Sequence, residues 1–122
     1  MKIAVFGSTS WQNYNDIIRS LTVFIQEVNE VGHKEIIFVH TGKRGAENMI
    51  TEYVGKVEKM LRHNGFKIKE EWFRDKSNLS DIKIIESGID YALVFSTGDA
   101  RAYKAKKVLE AYEIPFRLIE EV

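Results

Sequence analysis

Two acids and three cations stand where this chain leaves its most apolar runs. "EIIFVH" (35–40) runs into "TGKRGAE", and "YALVFS" (91–96) runs into "TGDAR". Glu47 and Asp99 are the carboxylates of these turns. A carboxylate so placed can serve as nucleophile or general acid, so these two are the candidate catalytic residues. Lys43, Arg44 and Arg101 supply charge for an anion. Gly7, Gly42, Gly45 and Gly98 permit close backbone approach, and Ser8, Thr9, Thr41, Ser96 and Thr97 add hydroxyls beside the small Ala46. Backbone N–H groups at the start of a helix, reinforced by its dipole, receive phosphate or carboxylate. Trp11 can stack on a base or staple its loop to the following helix. These residues are the candidate ligand-binding set. Each has a plainer reading as well: glycine for turn geometry, Ser or Thr for capping, and an acid in the first helical turn to suit the dipole.

The elements that must position these groups are readable from periodicity. "KIAVF" (2–6), 35–40 and 91–96 are short apolar runs of β-formers, as expected for strands buried on both faces of a parallel sheet. "FKIKEEWF" (66–73) alternates and predicts an edge strand with one wet face, and "FRLI" after Pro115 a last short strand. Ile17, Ile18, Leu21, Phe24, Ile25 and Val28 repeat at helical spacing, with Asn13, Asn15 or Asp16 as cap and Gly32 as stop. Ile50, Tyr53, Val54, Val57, Met60 and Leu61 predict one face of a second helix, ending at "HNG". A short helix over 80–87 should turn Leu79, Ile82 and Ile85 inward, and one over 101–112 Ala105, Val108, Leu109 and Tyr112. The alternation predicts an α/β fold: a three-layer, Rossmann-like, doubly wound parallel sheet of five strands in the order 3-2-1-4-5. The loops after strands 1, 2 and 4 then meet at the topological switch point, where such sheets bind ligands.

Composition narrows the classes. The 122 residues suit one domain, 1–122, with its own core. Lys plus Arg and Asp plus Glu are 18 each, which makes binding to bulk nucleic acid an unfavoured function. The chain has no cysteine, three histidines and no ligand spacing of a metal site, so no metal or cofactor is expected. His40 ends a strand at the ligand rim and is a further candidate contact, whereas His33 and His63 fall on the opposite rim. The N-terminus lacks an apolar stretch of secretory or membrane length, so the expectation is a cytoplasmic protein without membrane contact. "RDKSNLSD" places Arg74, Lys76 and Asn78 near the ligand rim, and Trp72 and Phe73 at the sheet edge allow a homo-oligomer. Walker A and GxGxxG patterns are absent.

"VFGSTSW", "VHTGKRGAENM" and "VFSTGDARA", in that order and spacing, resemble the SLOG superfamily, most closely its small bacterial and phage branch. That branch has a Gly-Ser-Arg-like turn, then Gly-Gly-Ala-x-Gly-Ala-Asp, then Gly-Gly-x-Gly-Thr. "EIPFRLI" is similar to its closing strand. The resemblance implies a Rossmann-like domain that binds a nucleotide or nucleotide-derived ligand, and in one branch cleaves nucleoside monophosphates to release the base. Gly7 and Ser8 match the first turn, with Thr9 where arginine is common. Gly42, Arg44, Gly45 and Ala46 match the second motif, with Thr41 and Glu47 replacing its first glycine and its Asp. Gly98 matches the third, with Thr97, Ala100 and Arg101 as departures. Lys104 stands where the base-releasing branch has its catalytic glutamate.

Three readings follow. The first is a sensor or sequestering protein for a nucleotide or related phosphate-bearing ligand. The second is an enzyme on an N-glycosidic bond, a nucleosidase, phosphoribohydrolase or deoxyribosyltransferase using Glu47 or Asp99. The third is a pocketless interaction domain presenting Trp72 and Phe73.

Overall fold

Runs of five or six residues become strands here, and each of the first four is followed by a helix that carries the chain back to the same sheet end. The computed structural model describes residues 1–73 and 80–121. Its elements are β1 (Lys2–Gly7), α1 (Tyr14–Glu30), β2 (Glu35–His40), α2 (Ala46–His63), β3 (Lys67–Trp72), α3 (Ser80–Glu86), β4 (Tyr91–Ser96), α4 (Ala100–Ala111) and β5 (Phe116–Glu120). The strands form one sheet in the order β3-β2-β1-β4-β5, all parallel, as the alternation predicts.

Side-chain alternation along the central strands divides the interior into two cores. Ile3 and Val5 of β1 face a core shared with Ile17, Leu21 and Phe24 of α1 and Ile50, Tyr53 and Val54 of α2. Ala4 and Phe6 face the other side, against Ile84 and Ile85 of α3 and Ala102, Ala105 and Leu109 of α4. The layers are therefore two helices, sheet, two helices. Asn13 caps α1, its side-chain oxygen accepting the Asp16 N–H at 3.1 Å, and Gly32 takes φ of 98° just beyond the helix end.

Three expected inward residues lie elsewhere. On α3 the buried pair is Ile84 and Ile85, while Ile82 is half-buried on a cleft wall between α3 and α4. The reason is length: a helix of seven residues meets the core with its last turn only. Leu79, like Arg74, Lys76 and Asn78, lies outside the described residues. Tyr112 is exposed because α4 closes at Ala111, and its hydroxyl donates to Glu86 at 2.7 Å. Met60 sits at the flank of the α2 face and is exposed. Among the described residues no helix is long and apolar enough to cross a membrane.

Candidate functional site

The loops after β1, β2 and β4 do converge at the carboxyl rim, and they bind one another. Ser8 Oγ donates to Asp99 Oδ1 at 2.6 Å and accepts the Thr97 N–H at 3.0 Å. Ser10 and Thr97 hydroxyls meet at 2.7 Å, and the Ala46 N–H reaches the Ser8 carbonyl at 3.4 Å. Glycine serves this packing. A Cβ on Gly7 would stand 2.5 Å from Ala46 Cβ, and one on Gly45 (φ 92°) 2.4 Å from the Ser8 carbonyl oxygen. Gly42 (φ 72°) lies under the Trp72 ring, where a Cβ would come within 2.9 Å. Gly98 alone of the four has open space over it. Close approach is thus required at Gly7, Gly42 and Gly45, but the approaching group is protein.

Glu47 opens α2 and is wholly buried (0% exposed). Its Oε1 accepts the Thr41 N–H and the Thr41 hydroxyl, both at 2.8 Å, and its Oε2 accepts from Arg101 Nη1. Arg101 comes from the first turn of α4, with its side chain 17% exposed. It also donates to the Gly7 carbonyl at 2.5 Å and, through Nη2, to Asp81 of α3 at 3.0 Å. One guanidinium therefore joins the β1 loop, α2 and α3. Burial works against its charge, but Glu47 and Asp81 outweigh that and hold its pKa above the ordinary arginine value. Arg101 Nε is buried with no hydrogen-bond partner among the described residues. Asp99 is half-buried: it caps α4 by accepting the Ala102 N–H at 3.2 Å with the same Oδ1 that binds Ser8.

His40 closes β2 fully buried. The Gly42 N–H donates to its Nδ1 at 3.0 Å, so the ring proton sits on Nε2 and is donated to Glu70 Oε2 at 2.7 Å. Thr51 and the Trp72 indole also donate to that oxygen, at 2.8 and 3.1 Å. Burial alone would raise the Glu70 pKa; the three donors outweigh it and hold the carboxyl below its ordinary range. This cluster anchors Gly42 at the start of the β2 loop. Trp11 is 2% exposed, edge-on to Phe95 with ring centroids 5.4 Å apart, and its Nε1 donates to the Asn13 carbonyl at 2.8 Å. Of its two readings it takes the staple, with no ring face left for a base.

Three separate clefts open around these loops in place of one cradle. Thr9, Ser10, Trp11, Arg44, Gly45 and Asn48 border one of about 490 Å³ on the α1–α2 side. Ser96, Thr97 and Gly98 border a second, of about 280 Å³, whose remaining walls are Glu120 and Glu121, the wrong sign for phosphate. The third, about 650 Å³, lies between α3 and α4. Lys43, Arg101, Lys104 and Lys107 surround it, with Asp81 as its one acid among the described residues, Ile82, Ala105 and Val108 as apolar wall, and Tyr103 at its margin. Lys43, Lys104 and Lys107 pair with no carboxylate among the described residues; Lys107 Nζ stands 5.3 Å from the Tyr103 ring centroid.

From the predicted set, then, Lys43 and Arg101 share this cationic cleft. Thr9, Arg44 and Gly45 belong to another, and Gly7, Ser8, Thr41, Gly42, Ala46 and Glu47 knit the loops. Sequence reasoning did not bring Lys104 and Lys107 to this cleft. The signal was present: with Arg101 they recur every third residue, on one helical flank. No protein-family model, curated protein or solved structure matches the chain.

Proposed function

We propose that the chain binds a nucleotide or nucleotide-derived, phosphate-bearing small molecule in the cleft between α3 and α4, as a sensor or sequestering protein without chemistry of its own. One observation carries this: among the described residues, three lysines without a carboxylate partner and Arg101 border a cleft of about 650 Å³ whose acid, Asp81, is itself engaged by Arg101. The volume suits a ligand of nucleotide size. Asp99 already caps the positive end of α4, and Arg101 is paired with Glu47 and Asp81, so the exposed Lys43, Lys104 and Lys107 are the charges a phosphate would meet. The exposed Tyr103 ring offers a face for a base.

The N-glycosidase reading has less support. Glu47 has no exposed surface and both its oxygens are occupied, while Asp99 is spent on capping and on Ser8. Lys104 at the catalytic position of the base-releasing SLOG branch agrees with a binder.

The test is a thermal-shift screen against nucleoside mono-, di- and triphosphates, cyclic nucleotides, NAD, ADP-ribose and inorganic phosphate. A ligand at 100 times its Kd stabilises the native state by about 2.7 kcal/mol. Lys43→Glu and Lys104→Glu should each weaken such a hit by about tenfold or more, since a hydrogen bond to a charged group contributes about 1.5–3 kcal/mol. Arg44→Ala, in the other cleft, should leave it unchanged. A hit lost with Arg44→Ala and kept by the lysine variants would move the site to the α1–α2 side.

A further inference from the structure

The edge strand β3 carries a charge pattern complementary to itself. The Lys67 N–H donates to the Lys34 carbonyl at 2.9 Å and the Phe73 N–H to the His40 carbonyl at 2.8 Å. Odd-numbered residues therefore direct their backbone groups at β2, and by strand alternation Ile68, Glu70 and Trp72 direct theirs away from the sheet, where β3 is the last strand. We propose that this edge is a homodimer interface, in which β3 of a second copy adds antiparallel about a two-fold axis at Glu70.

The register follows from charge. With Glu70 opposite Glu70 of the second copy, Ile68 opposes Trp72, and all three outward-facing residues exchange backbone hydrogen bonds. Lys69 then opposes Glu71 of the second copy, and Glu71 opposes its Lys69, in the non-hydrogen-bonded sites where side chains come closest. A slip of one pair toward the N-terminus sets Lys69 against Lys69; a slip the other way sets Glu71 against Glu71. Only the Glu70-centred register makes both charge rows attractive. Glu70 adds little repulsion there, because its carboxylate is turned inward onto His40, Thr51 and Trp72.

Lysines on an edge ordinarily repel any added strand. Here Lys69 meets Glu71 when the added strand is this one, so the same residues discriminate in favour of a second copy. The opposite edge lacks this property: the equivalent register of β5, centred on Leu118, sets Arg117 against Ile119. The pairs that Lys69 and Glu71 make within the chain, to Glu35 at 3.7 Å and Lys2 at 3.5 Å, are solvent-exposed, so they compete only weakly.

Sedimentation velocity of the whole chain over a dilution series tests this. A concentration-dependent monomer–dimer equilibrium is expected, with Lys69→Glu and Glu71→Lys each shifted to monomer because like charges then oppose. An equimolar mixture of the two variants should re-form a dimer, and so should the swapped double variant. A crosslink provides a second readout, since the chain has no cysteine. Lys69→Cys mixed with Glu71→Cys under oxidised glutathione should give a disulfide heterodimer, and either variant alone should not. A wild type that is monomeric at every concentration overturns the proposal. So does a dimer indifferent to the charge reversals, which would lie on another face.

Discussion

A carboxylate with no exposed surface is tolerable only with its charge matched, and Glu47 is matched by Arg101 and by two donors from Thr41. Removing one partner of such a pair strands the other. Glu47→Gln should therefore lower the unfolding free energy by about 3 kcal/mol in urea melts. Replacing both partners, as in Glu47→Gln with Arg101→Met, should cost less than the two single losses summed. A Glu47→Gln protein as stable as wild type would contradict the structural role assigned here. Glu70 yields a prediction in pH. Its folded pKa lies below its unfolded one, so the stability it contributes is present above the ordinary glutamate value of about 4.3 and is lost as pH falls through the lower folded value. Glu70→Gln should remove that part of the acid sensitivity, read as a flatter dependence of urea midpoint on pH between about 6 and 3. At this scale the sequence was legible in residue type only. Glu47 and Arg101 stood out as acid and cation at the rim, but their partnership joins loops of two different strands, and nothing local in either segment announces it.

Elements were more legible, because periodicity is a local property that tertiary contacts mostly obey. The strands ended within a residue of the apolar runs read for them, and the first long helix lies between its cap Asn13 and Gly32. The exceptions share a cause: where a helix is short or closing, as at Ile82 and Tyr112, its few core contacts are set by docking and not by period. Glycines were read for ligand approach, and their packing role emerged only when the loops were seen against one another. Two substitutions separate strain from packing. Gly98→Ala meets open space and should cost only the strain of positive φ, about 1 kcal/mol. Gly45→Ala carries that strain and also meets the Ser8 carbonyl, so it should cost distinctly more, about 2–3 kcal/mol. Equal midpoints for the two variants in thermal or urea melts would contradict the loop packing described.

For the whole molecule, strand order was the most legible feature. Strand–helix alternation and right-handed crossovers leave few arrangements of five parallel strands, and the doubly wound order is the one found. The position of the site was less so. A switch point indicates the rim of the sheet, but which flank of the rim holds unpaired charge depends on what the loop residues satisfy among themselves. Here Ser8 binds Asp99 and Thr41 binds Glu47, and among the described residues three lysines without a carboxylate partner fall to the α3–α4 side, against Arg44 on the α1–α2 side. Because the lysines there are exposed, the proposed binding of a phosphate-bearing ligand should weaken as salt rises. An affinity for the best nucleotide that is unchanged between low and physiological salt would argue against charge as its source. The most direct measurement is an amide NMR titration of the protein with the nucleotide that raises its Tm most. Saturable shifts are predicted at Lys43, Asp81, Arg101, Lys104 and Lys107, with Thr9 and Arg44 unmoved. Shifts confined to Thr9, Ser10, Arg44 and Asn48, or none with any nucleotide, would contradict the central claim.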